Sequence, residues 1–271
     1  MAGQAASPLG PKSAEVKRLR RLVLKRAERQ SRALCVVEGV RGVAAALASG
    51  HPVERVYTAP NGEHLEEILA TARGRGIEVQ PLADGVIESV ADTSTPQPVL
   101  AVVRIPECDL RQLDDVSLVV VLAGISDPGN AGTIVRVAEG SGATAVVFGT
   151  GSTEPFSPKA VRASAGAVFQ IPIIQGATTQ EALDVLGNRG VRRLGTAAGG
   201  GEPYDQVGWQ VPTALVLGNE AWGVPEDVRS LIDGWVTIPM AGRIESLNVA
   251  MAASVLLFEA LRARTRGGDG Q

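Results

Sequence analysis

The apolar positions of residues 117 to 264 fall into short runs that match the length of β-strands. Residues 118 to 122 are almost purely Val and Leu, as expected for a strand buried on both faces of a sheet. Helical patterns separate most of the runs, so the alternation predicts a parallel sheet with helices on both faces. The predicted strands are 118 to 122, 143 to 148, 171 to 174, 191 to 197, 213 to 217 and 235 to 238, and the predicted helices are 131 to 141, 158 to 168, 179 to 186, 225 to 232 and 247 to about 264.

A separate alternation of strands and helices precedes this one and predicts a small α/β domain over residues 13 to 105. We expect residues 1 to 12 to be a disordered leader, 106 to 116 a linker, 117 to 264 the second domain and 265 to 271 a frayed tail. The strands of the small domain are predicted at 33 to 37, 55 to 59, 77 to 82 and 99 to 105, and its later helices at 40 to 49, 63 to 75 and 84 to 90.

The first predicted helix of the small domain carries an apolar stripe on one side and basic side chains on another. Ser13 can cap it, and Val16, Leu19 and Val23 form an apolar stripe at helical spacing. Another face carries basic side chains, namely Lys17, Arg18, Arg21 and Lys25. Such a face can be a solvated surface, because long basic side chains are at home there. We favour a helix that lies on RNA phosphates, because the charge imbalance is large.

That imbalance sets the two parts of the chain apart. The formal charge is −3, but residues 1 to 105 carry 14 Lys plus Arg against 11 Asp plus Glu, while the remainder carries 12 against 18. Between Lys12 and Arg32, nine basic residues accompany only Glu15 and Glu28. This segment is therefore the predicted site of attraction for a polyanion.

Several function classes are excluded by what the chain lacks. No apolar stretch is long enough to cross a membrane and the basic N-terminus has no signal-peptide core, so we expect a cytoplasmic protein. Cys35 and Cys108 are expected to be free thiols and His51 and His64 surface residues, so no metal site is predicted. The Gly-rich segment 124 to 132 lacks the P-loop Gly-Lys-Ser/Thr, and the dinucleotide fingerprint is missing, which argues against an ATPase or a nicotinamide enzyme.

Candidate chemistry lies in three motifs placed at turns beside strands: Asn130-Ala-Gly-Thr-Ile-Val-Arg136, Leu217-Gly-Asn-Glu-Ala-Trp-Gly223, and Ile238-Pro-Met-Ala-Gly242 with Ser246-Leu-Asn248. Taken locally, Asn130 is a helix N-cap with Arg136 two turns inside the helix, and Gly218 permits close backbone approach at the end of a strand. Ser246 is an N-cap before an apolar helix, which leaves Asn248 as a polar residue without an obvious partner.

In this order the three motifs resemble the signature motifs of the SpoU (TrmH-like) family of RNA ribose 2'-O-methyltransferases. The resemblance covers roughly residues 117 to 264 and implies a parallel-sheet α/β domain with a C-terminal trefoil knot. Residues 13 to 105, with Cys35-Val-Val-Glu-Gly39 and Arg41, are similar to the substrate-binding domain of the rRNA-acting members. The implied cofactor is S-adenosylmethionine, the implied assembly a homodimer with a site built across its two-fold interface, and no metal is required.

The resemblance also implies roles for individual residues. We expect Arg136 to bind the target phosphate and stabilise a developing alkoxide, with water or Glu220 taking the proton, because an Arg pKa above about 12 makes a poor base. Glu220 is expected to organise the site, with a pairing to Arg136 as one way to do so. The catalytic candidates are Asn130, Arg136, Glu220, Ser246 and Asn248, the cofactor-binding candidates Leu217, Gly218, Asn219, Ile238, Met240 and Leu247, and the RNA-binding candidates Lys17, Arg18, Arg21, Lys25, Arg41, Lys159 and Arg162, with Ser164 beside the last two.

The predicted function is S-adenosylmethionine-dependent 2'-O-methylation of a ribose in structured RNA. Large-subunit (23S) rRNA is the favoured substrate, either as a housekeeping modification or as antibiotic resistance of the thiostrepton or avilamycin type. Two alternatives stay open: a tRNA 2'-O-methyltransferase, and a noncatalytic RNA-binding or assembly protein of the same fold. The segment 158 to 166 has its own alternative, a small-residue packing face.

Overall fold

The computed structural model describes residues 7 to 60, 62 and 65 to 268. His64 and the outer parts of the expected leader and tail lie outside these residues. The first half of the chain forms α1 (Ala14–Leu24), α2 (Arg26–Arg32), β1 (Leu34–Glu38), α3 (Val40–Ala48), β2 (Val53–Thr58), α4 (Glu66–Gly74), β3 (Glu78–Pro81), α5 (Val86–Val90) and β4 (Val99–Arg104). The second half forms β5 (Leu118–Ala123), α6 (Pro128–Gly140), β6 (Ala145–Phe148), α7 (Pro158–Ala163), β7 (Ile173–Gln175), α8 (Thr179–Asn188), β8 (Arg192–Thr196), β9 (Glu202–Pro203), β10 (Thr213–Gly218), β11 (Gly234–Thr237) and α9 (Val249–Gly268).

The chain divides into two compact units. The first unit comprises residues 1 to 106 together with 156 to 170, and the second comprises residues 107 to 155 together with 171 to 271. The chain therefore passes between the units three times.

The first unit is built on a four-stranded sheet in the order β1-β4-β2-β3. Strand β4 is antiparallel to both of its neighbours, whereas β2 and β3 are parallel. The apolar stripe predicted for the first helix is buried, because Val16 and Leu19 are fully inaccessible on α1 and Val23 nearly so. Ser13 caps this helix by accepting a hydrogen bond of 3.2 Å from the Val16 amide.

Residues 7 to 12 do not behave as the leader that the sequence suggests. The Leu9 amide donates to the Pro81 carbonyl at 2.9 Å, and the Leu9 carbonyl accepts from the Ala83 amide at the same distance. Leu9 thus forms a parallel bridge with Leu82, just after the edge strand β3, so the expectation of disorder is wrong for this part of the segment.

Residues 156 to 170 pack on the first unit although they lie between β6 and β7 of the second. Helix α7 contacts β1, and Phe156 is fully buried. Arg162 of α7 lies 3.8 Å from the Glu38 carboxylate and 3.3 Å from that of Asp92. The continuous helix predicted over 158 to 168 is wrong, because Ala165 (φ 50°) and Gly166 (φ 89°) adopt left-handed conformations after α7 and only a 3-10 turn follows.

The second unit contains a seven-stranded sheet in the order β7-β6-β5-β10-β8-β11-β9, in which each recorded pairing is parallel. The six predicted strands are present, and two-residue β9 was too short to leave a hydrophobic signature. Val119 and Val121 of β5 join a core cluster with Leu183 of α8 on one face. On the other, α6 contacts β6, α9 contacts β10, and the two helices contact each other. The predicted parallel α/β domain is therefore confirmed.

Two broader expectations also concern this fold. Among the described residues, no helix combines the length and apolar character needed to span a bilayer. The same residues contain no cluster of three or more His, Cys, Asp or Glu suited to a metal ion.

The segment predicted as a helix at 225 to 232 is a 3-10 helix over Glu226–Leu231.

Candidate functional site

A cavity of about 930 Å³ opens at the carboxyl ends of three neighbouring strands of the second unit, β8, β10 and β11. Open parallel sheets commonly bind ligands at this edge. Its wall comes from four segments: residues 196 to 200, 218 to 224, 235 to 248 and the start of α9. Two of the three sequence motifs therefore meet at one cavity, as their positions after strands predicted.

The loop after β10 is held tightly in shape. Asn219 and Gly223 exchange backbone hydrogen bonds of 2.9 Å, and the Asn219 carboxamide donates to the Gly124 carbonyl at 2.7 Å and accepts from the Ala221 amide at 2.8 Å. A Cβ atom on Gly218 would lie 2.1 Å from the backbone of Gly223 and Val224. Position 218 therefore requires glycine, because the backbone of Gly223 and Val224 packs directly against it. The sequence had suggested instead that a ligand is the close neighbour.

Glu220, the acidic residue of this loop, faces the first motif. Its carboxylate accepts from the Ser126 amide and hydroxyl at 3.2 Å, from the Asp127 amide at 3.3 Å and from the Asn130 carboxamide at 3.0 Å. Burial acts to raise the pKa of Glu220, but the hydrogen bonds from Asn130 and from backbone amides outweigh it and leave the pKa below its ordinary value. Glu220 is thus held as a carboxylate, and among the described residues of this chain its hydrogen-bond partners do not include Arg136.

Asn130 connects this carboxylate to the third motif. While its Nδ2 donates to Glu220, its Oδ1 accepts from the Asn248 carboxamide at 3.1 Å. The three motifs are therefore joined by one chain of side-chain hydrogen bonds, Glu220 to Asn130 to Asn248, between residues 90 and 118 positions apart in sequence.

Both helix caps predicted here are displaced. Asp127, with Pro128 following it, caps α6 by accepting from the Asn130 amide at 2.8 Å, so Asn130 lies inside the helix. At α9 the cap is Asn248, whose Oδ1 accepts from the Ala250 amide at 2.9 Å, and exposed Ser246 lies before the helix. The predicted N-caps at Asn130 and Ser246 are wrong, and Asn248 has the partners that the sequence did not reveal.

The third motif supplies the apolar part of the cavity wall. Ile238 and Met240, after β11, are half-buried, as is Leu247, and all three line the cavity. Ser246 and Asn248 are exposed at the same cavity. Of the proposed cofactor residues, Gly218, Asn219, Ile238, Met240 and Leu247 line it, whereas Leu217 is fully buried in β10 behind it.

Arg136 lies elsewhere on the second unit. It is exposed on α6 and does not line the cavity. Within the part of the chain that the structure describes, it makes no hydrogen bond or ion pair. Its guanidinium is therefore available to a ligand or to another chain.

The basic residues proposed for RNA binding differ in their surroundings. Arg18 forms ion pairs with Glu15 and Glu54, and Arg21 lies 3.6 Å from Glu28, so the positive charge of these two side chains is partly neutralised within the unit. Exposed side chains without such partners among the described residues are those of Lys17, Lys25 and Arg41.

The segment that carries Lys159, Arg162 and Ser164 belongs to the first unit and contributes nothing to the cavity lining. Arg162 is paired with Glu38 and Asp92. Ser164 is 1% exposed and donates to the Val161 carbonyl at 2.8 Å, so it contacts its own turn. Here the alternative of a packing face describes the segment better than an RNA contact does.

Sequence reasoning missed two features of the site. Ser126 and Asp127, which hold Glu220, carry no signal beyond their place before a helix. Trp222 of the second motif had no predicted function, although it is 74% exposed and lines the cavity. A large aromatic residue in a polar turn was the signal available.

Two family models match the chain. Residues 117 to 258 match the SpoU rRNA Methylase family, and residues 13 to 101 match the MRM3-like substrate binding domain. The chain is 34% identical to the 23S rRNA (guanosine(2553)-2'-O)-methyltransferase RlmP of Bacillus subtilis, over 77% of this chain and 84% of that protein. It is 32% identical to a 23S rRNA (uridine(2479)-2'-O)-methyltransferase of Streptomyces viridochromogenes, over 86% of this chain and 84% of that protein.

Among solved structures, the fold is similar to that of the SpoU methyltransferase AviRb from Streptomyces viridochromogenes in complex with the cofactor AdoMet. The TM-score is 0.84 at 29% identity, and the match covers 94% of this chain and 100% of that one.

Proposed function

Because the chain belongs to the SpoU rRNA methylase family, we propose that it transfers the methyl group of S-adenosylmethionine to a ribose 2'-hydroxyl of large-subunit (23S) rRNA. The observation that carries the proposal is the hydrogen-bonded chain Glu220 to Asn130 to Asn248, which joins all three motifs beside one cavity. The two relatives named for 23S rRNA support this substrate class.

The cavity suits the proposed cofactor in size and chemistry. Pockets for ligands of this size span about 300 to 1,000 Å³ and are mostly apolar with a few placed polar groups. Ile238, Met240 and Leu247 would form the apolar wall, and the backbone of residues 217 to 219 would supply polar contacts. When bound, S-adenosylmethionine supplies a methyl group already activated by a sulfonium sulfur, so the protein needs no nucleophile of its own.

The residues of the chain then orient the reacting groups and stabilise charge. Holding donor and acceptor in line can contribute about 7 to 11 kcal/mol to a reaction of this kind. Asn130 and Asn248 fix the first and third motifs against each other, and Ser246 lies exposed beside them, where a ribose would enter. Glu220 acts as the anchor of this arrangement, because its lowered pKa and its bound oxygens make it a weak proton acceptor.

Arg136 is assigned to the target phosphate and to the charge that develops on the ribose oxygen. Since it lies outside the cavity of its own chain, the proposal includes a homodimer in which it serves a site at the subunit interface. Two exposed apolar side chains of α9 support this assembly, Met251 at 62% and Phe258 at 50%, since seven residues place them on one face of the helix.

The remaining expectations complete the proposal. Residues 13 to 105 bind the RNA through exposed cations such as Lys17, Lys25 and Arg41, and residues 117 to 264, apart from 156 to 170, form the methyltransferase domain. The expected linker at 106 to 116 is not part of the proposal, because residues 107 to 116 belong to the second unit and Leu110 is buried in its core. Its C-terminal part carries a trefoil knot, a feature of the family. Action on rRNA would place the protein in the cytoplasm.

The test is a methylation assay with labelled S-adenosylmethionine on in vitro transcribed 23S rRNA and on bulk tRNA, followed by nuclease mapping of the modified nucleotide. We expect label in the 23S rRNA transcript. Label in tRNA alone would reassign the substrate, and a protein that binds rRNA without transferring label would be a noncatalytic member. Arg136→Lys should lose most of the activity, whereas the matched Arg111→Lys, at a side chain 70% exposed, should keep it.

A further inference from the structure

One tryptophan of the second unit is exposed to an unusual degree. The chain has three tryptophans. Trp209 is fully buried and donates from Nε1 to the Tyr204 carbonyl at 2.9 Å, and half-buried Trp235 lies under the Arg229 guanidinium at 5.2 Å. Trp222 in contrast is 74% exposed. A single exposed apolar side chain is common on protein surfaces, but Trp222 also lines the cavity, where an indole ring can bind a ligand.

The loop that carries Trp222 is rigid on both sides of it. Asn219 and Gly223 bracket it with paired backbone hydrogen bonds, and Glu220 is held by Ser126, Asp127 and Asn130. A flexible loop could bury the indole by folding over it, whereas the backbone of this loop is held by hydrogen bonds and leaves the ring exposed. Fixed aromatic rings bind at low cost in conformational entropy.

The ring also stands at the proposed site of chemistry. Trp222 lines the same cavity as Met240, Ser246 and Asn248, and it follows Glu220 by two positions. The indole ring is therefore within reach of a ligand that occupies this cavity.

We propose that Trp222 is a positioning residue that stacks on an unstacked base of the RNA, the target base or its neighbour, and so holds the ribose at the cavity. This inference rests on the proposed function. Proteins recognise single-stranded or looped RNA by stacking splayed bases on aromatic side chains. Such stacking tolerates different bases, since each has a π-face. Trp222 would accordingly contribute to RNA binding and leave the cofactor's affinity unchanged.

The experiment compares Trp222→Ala, Trp222→Leu and Trp222→Phe with the parent protein. Alanine substitution of a stacking residue weakens binding by about tenfold per base. We therefore expect the dissociation constant for in vitro transcribed 23S rRNA, and the KM for its methylation, to rise by about tenfold in Trp222→Ala. Trp222→Phe should recover most of the loss and Trp222→Leu little, because stacking needs an aromatic face.

Val211→Ala is the matched control, because Val211 is an apolar residue 48% exposed that does not line the cavity. It should bind and methylate RNA as the parent protein does. Intrinsic fluorescence provides a second measurement, independent of affinity. Added rRNA should quench the emission of the parent protein, while Trp222→Phe, which retains the two less exposed tryptophans, should show little change.

Other outcomes would overturn the inference. RNA affinity and KM unchanged in Trp222→Ala would refute stacking. A loss confined to S-adenosylmethionine affinity, measured by calorimetry, would make the indole a cover for the cofactor. A shift from dimer to monomer in light scattering would make it a subunit contact. Failure of the proposed function itself is distinct, since the parent protein would then neither bind S-adenosylmethionine nor label RNA.

Discussion

Asn130→Asp tests the hydrogen-bonded chain that joins the three motifs. The substitution preserves shape and keeps an oxygen for the Asn248 carboxamide. It replaces the amide nitrogen, now 3.0 Å from the Glu220 carboxylate, with a second carboxylate oxygen. One hydrogen bond to a charged group is therefore exchanged for a repulsion between like charges.

The magnitude follows from these two changes. A hydrogen bond to a charged group contributes about 1.5 to 3 kcal/mol. Two charges about 4 Å apart repel by about 1 kcal/mol in water and about 4 kcal/mol at an effective dielectric constant of 20. Because Asn130 is half-buried and Glu220 is partly exposed, the lower ends apply. We expect a loss of about 2 to 3 kcal/mol, which lowers the midpoint of thermal unfolding by about 5 to 10 °C.

The loss should depend on pH. Paired carboxylates raise the pKa of their shared titration above that of either group in the unfolded chain. A raised folded-state pKa means that the deficit is small in acid and grows as the pH rises through that pKa. Thermal unfolding and S-adenosylmethionine calorimetry at several values between pH 5 and pH 8 should therefore show the variant approaching the parent protein at pH 5.

Asn130→Ala is the control, because it removes the hydrogen bond to Glu220, together with the one from Asn248, without adding charge. Its deficit should be nearly flat over this range, whereas that of Asn130→Asp should grow as the pH rises. Equal and pH-independent deficits in the two variants would refute the contact between Asn130 and Glu220.

Three further predictions concern the same cavity. Asn248→Ala should cost about 1 kcal/mol of unfolding free energy by removing the cap of α9, whereas Ser246→Ala should leave stability unchanged while lowering activity; equal thermal midpoints for the two variants would contradict the cap assignment. Gly218→Ala should abolish S-adenosylmethionine binding in calorimetry because its Cβ meets backbone, whereas Gly208→Ala, whose Cβ would meet only the Gln210 side chain, at 3.8 Å and away from the cavity, should bind normally. Glu220 has a lowered pKa, so its stabilisation is present above its ordinary pKa of 4.5 and is lost as the pH falls through the folded-state value; cofactor affinity that stayed constant well below pH 4.5 would argue against its role as an anchor.

The strands of the second unit could be predicted because burial on both faces leaves continuous Val and Leu runs. The caps were harder, since Asp, Asn and Ser all serve at helix N-termini. Pro128 was the decisive local signal for α6, because proline favours the first helical position and so identifies Asp127 before it as the cap. At the start of α9, no comparable residue indicates whether Ser246 or Asn248 is the cap.

The contacts that assemble the site were beyond local pattern. Glu220 and Asn130 are 90 residues apart, and nothing in either motif names the other as its partner. The resemblance to a family brought the motifs together and suggested Arg136 as the partner of Glu220, whereas within the chain the partner from the first motif is Asn130. Charge counting likewise favoured α1 as an RNA-binding face without revealing that Arg18 and Arg21 already have acidic neighbours.

The placement of residues 156 to 170 on the first unit has a consequence for biosynthesis. Domains generally fold as units, the N-terminal one first, while the chain is being made. Here α7, which packs against β1, is translated only after β5, α6 and β6 of the other unit. The core of the nascent first unit therefore lacks Phe156 and its neighbours until these residues have been synthesised. By then the ribosome is more than halfway along the message.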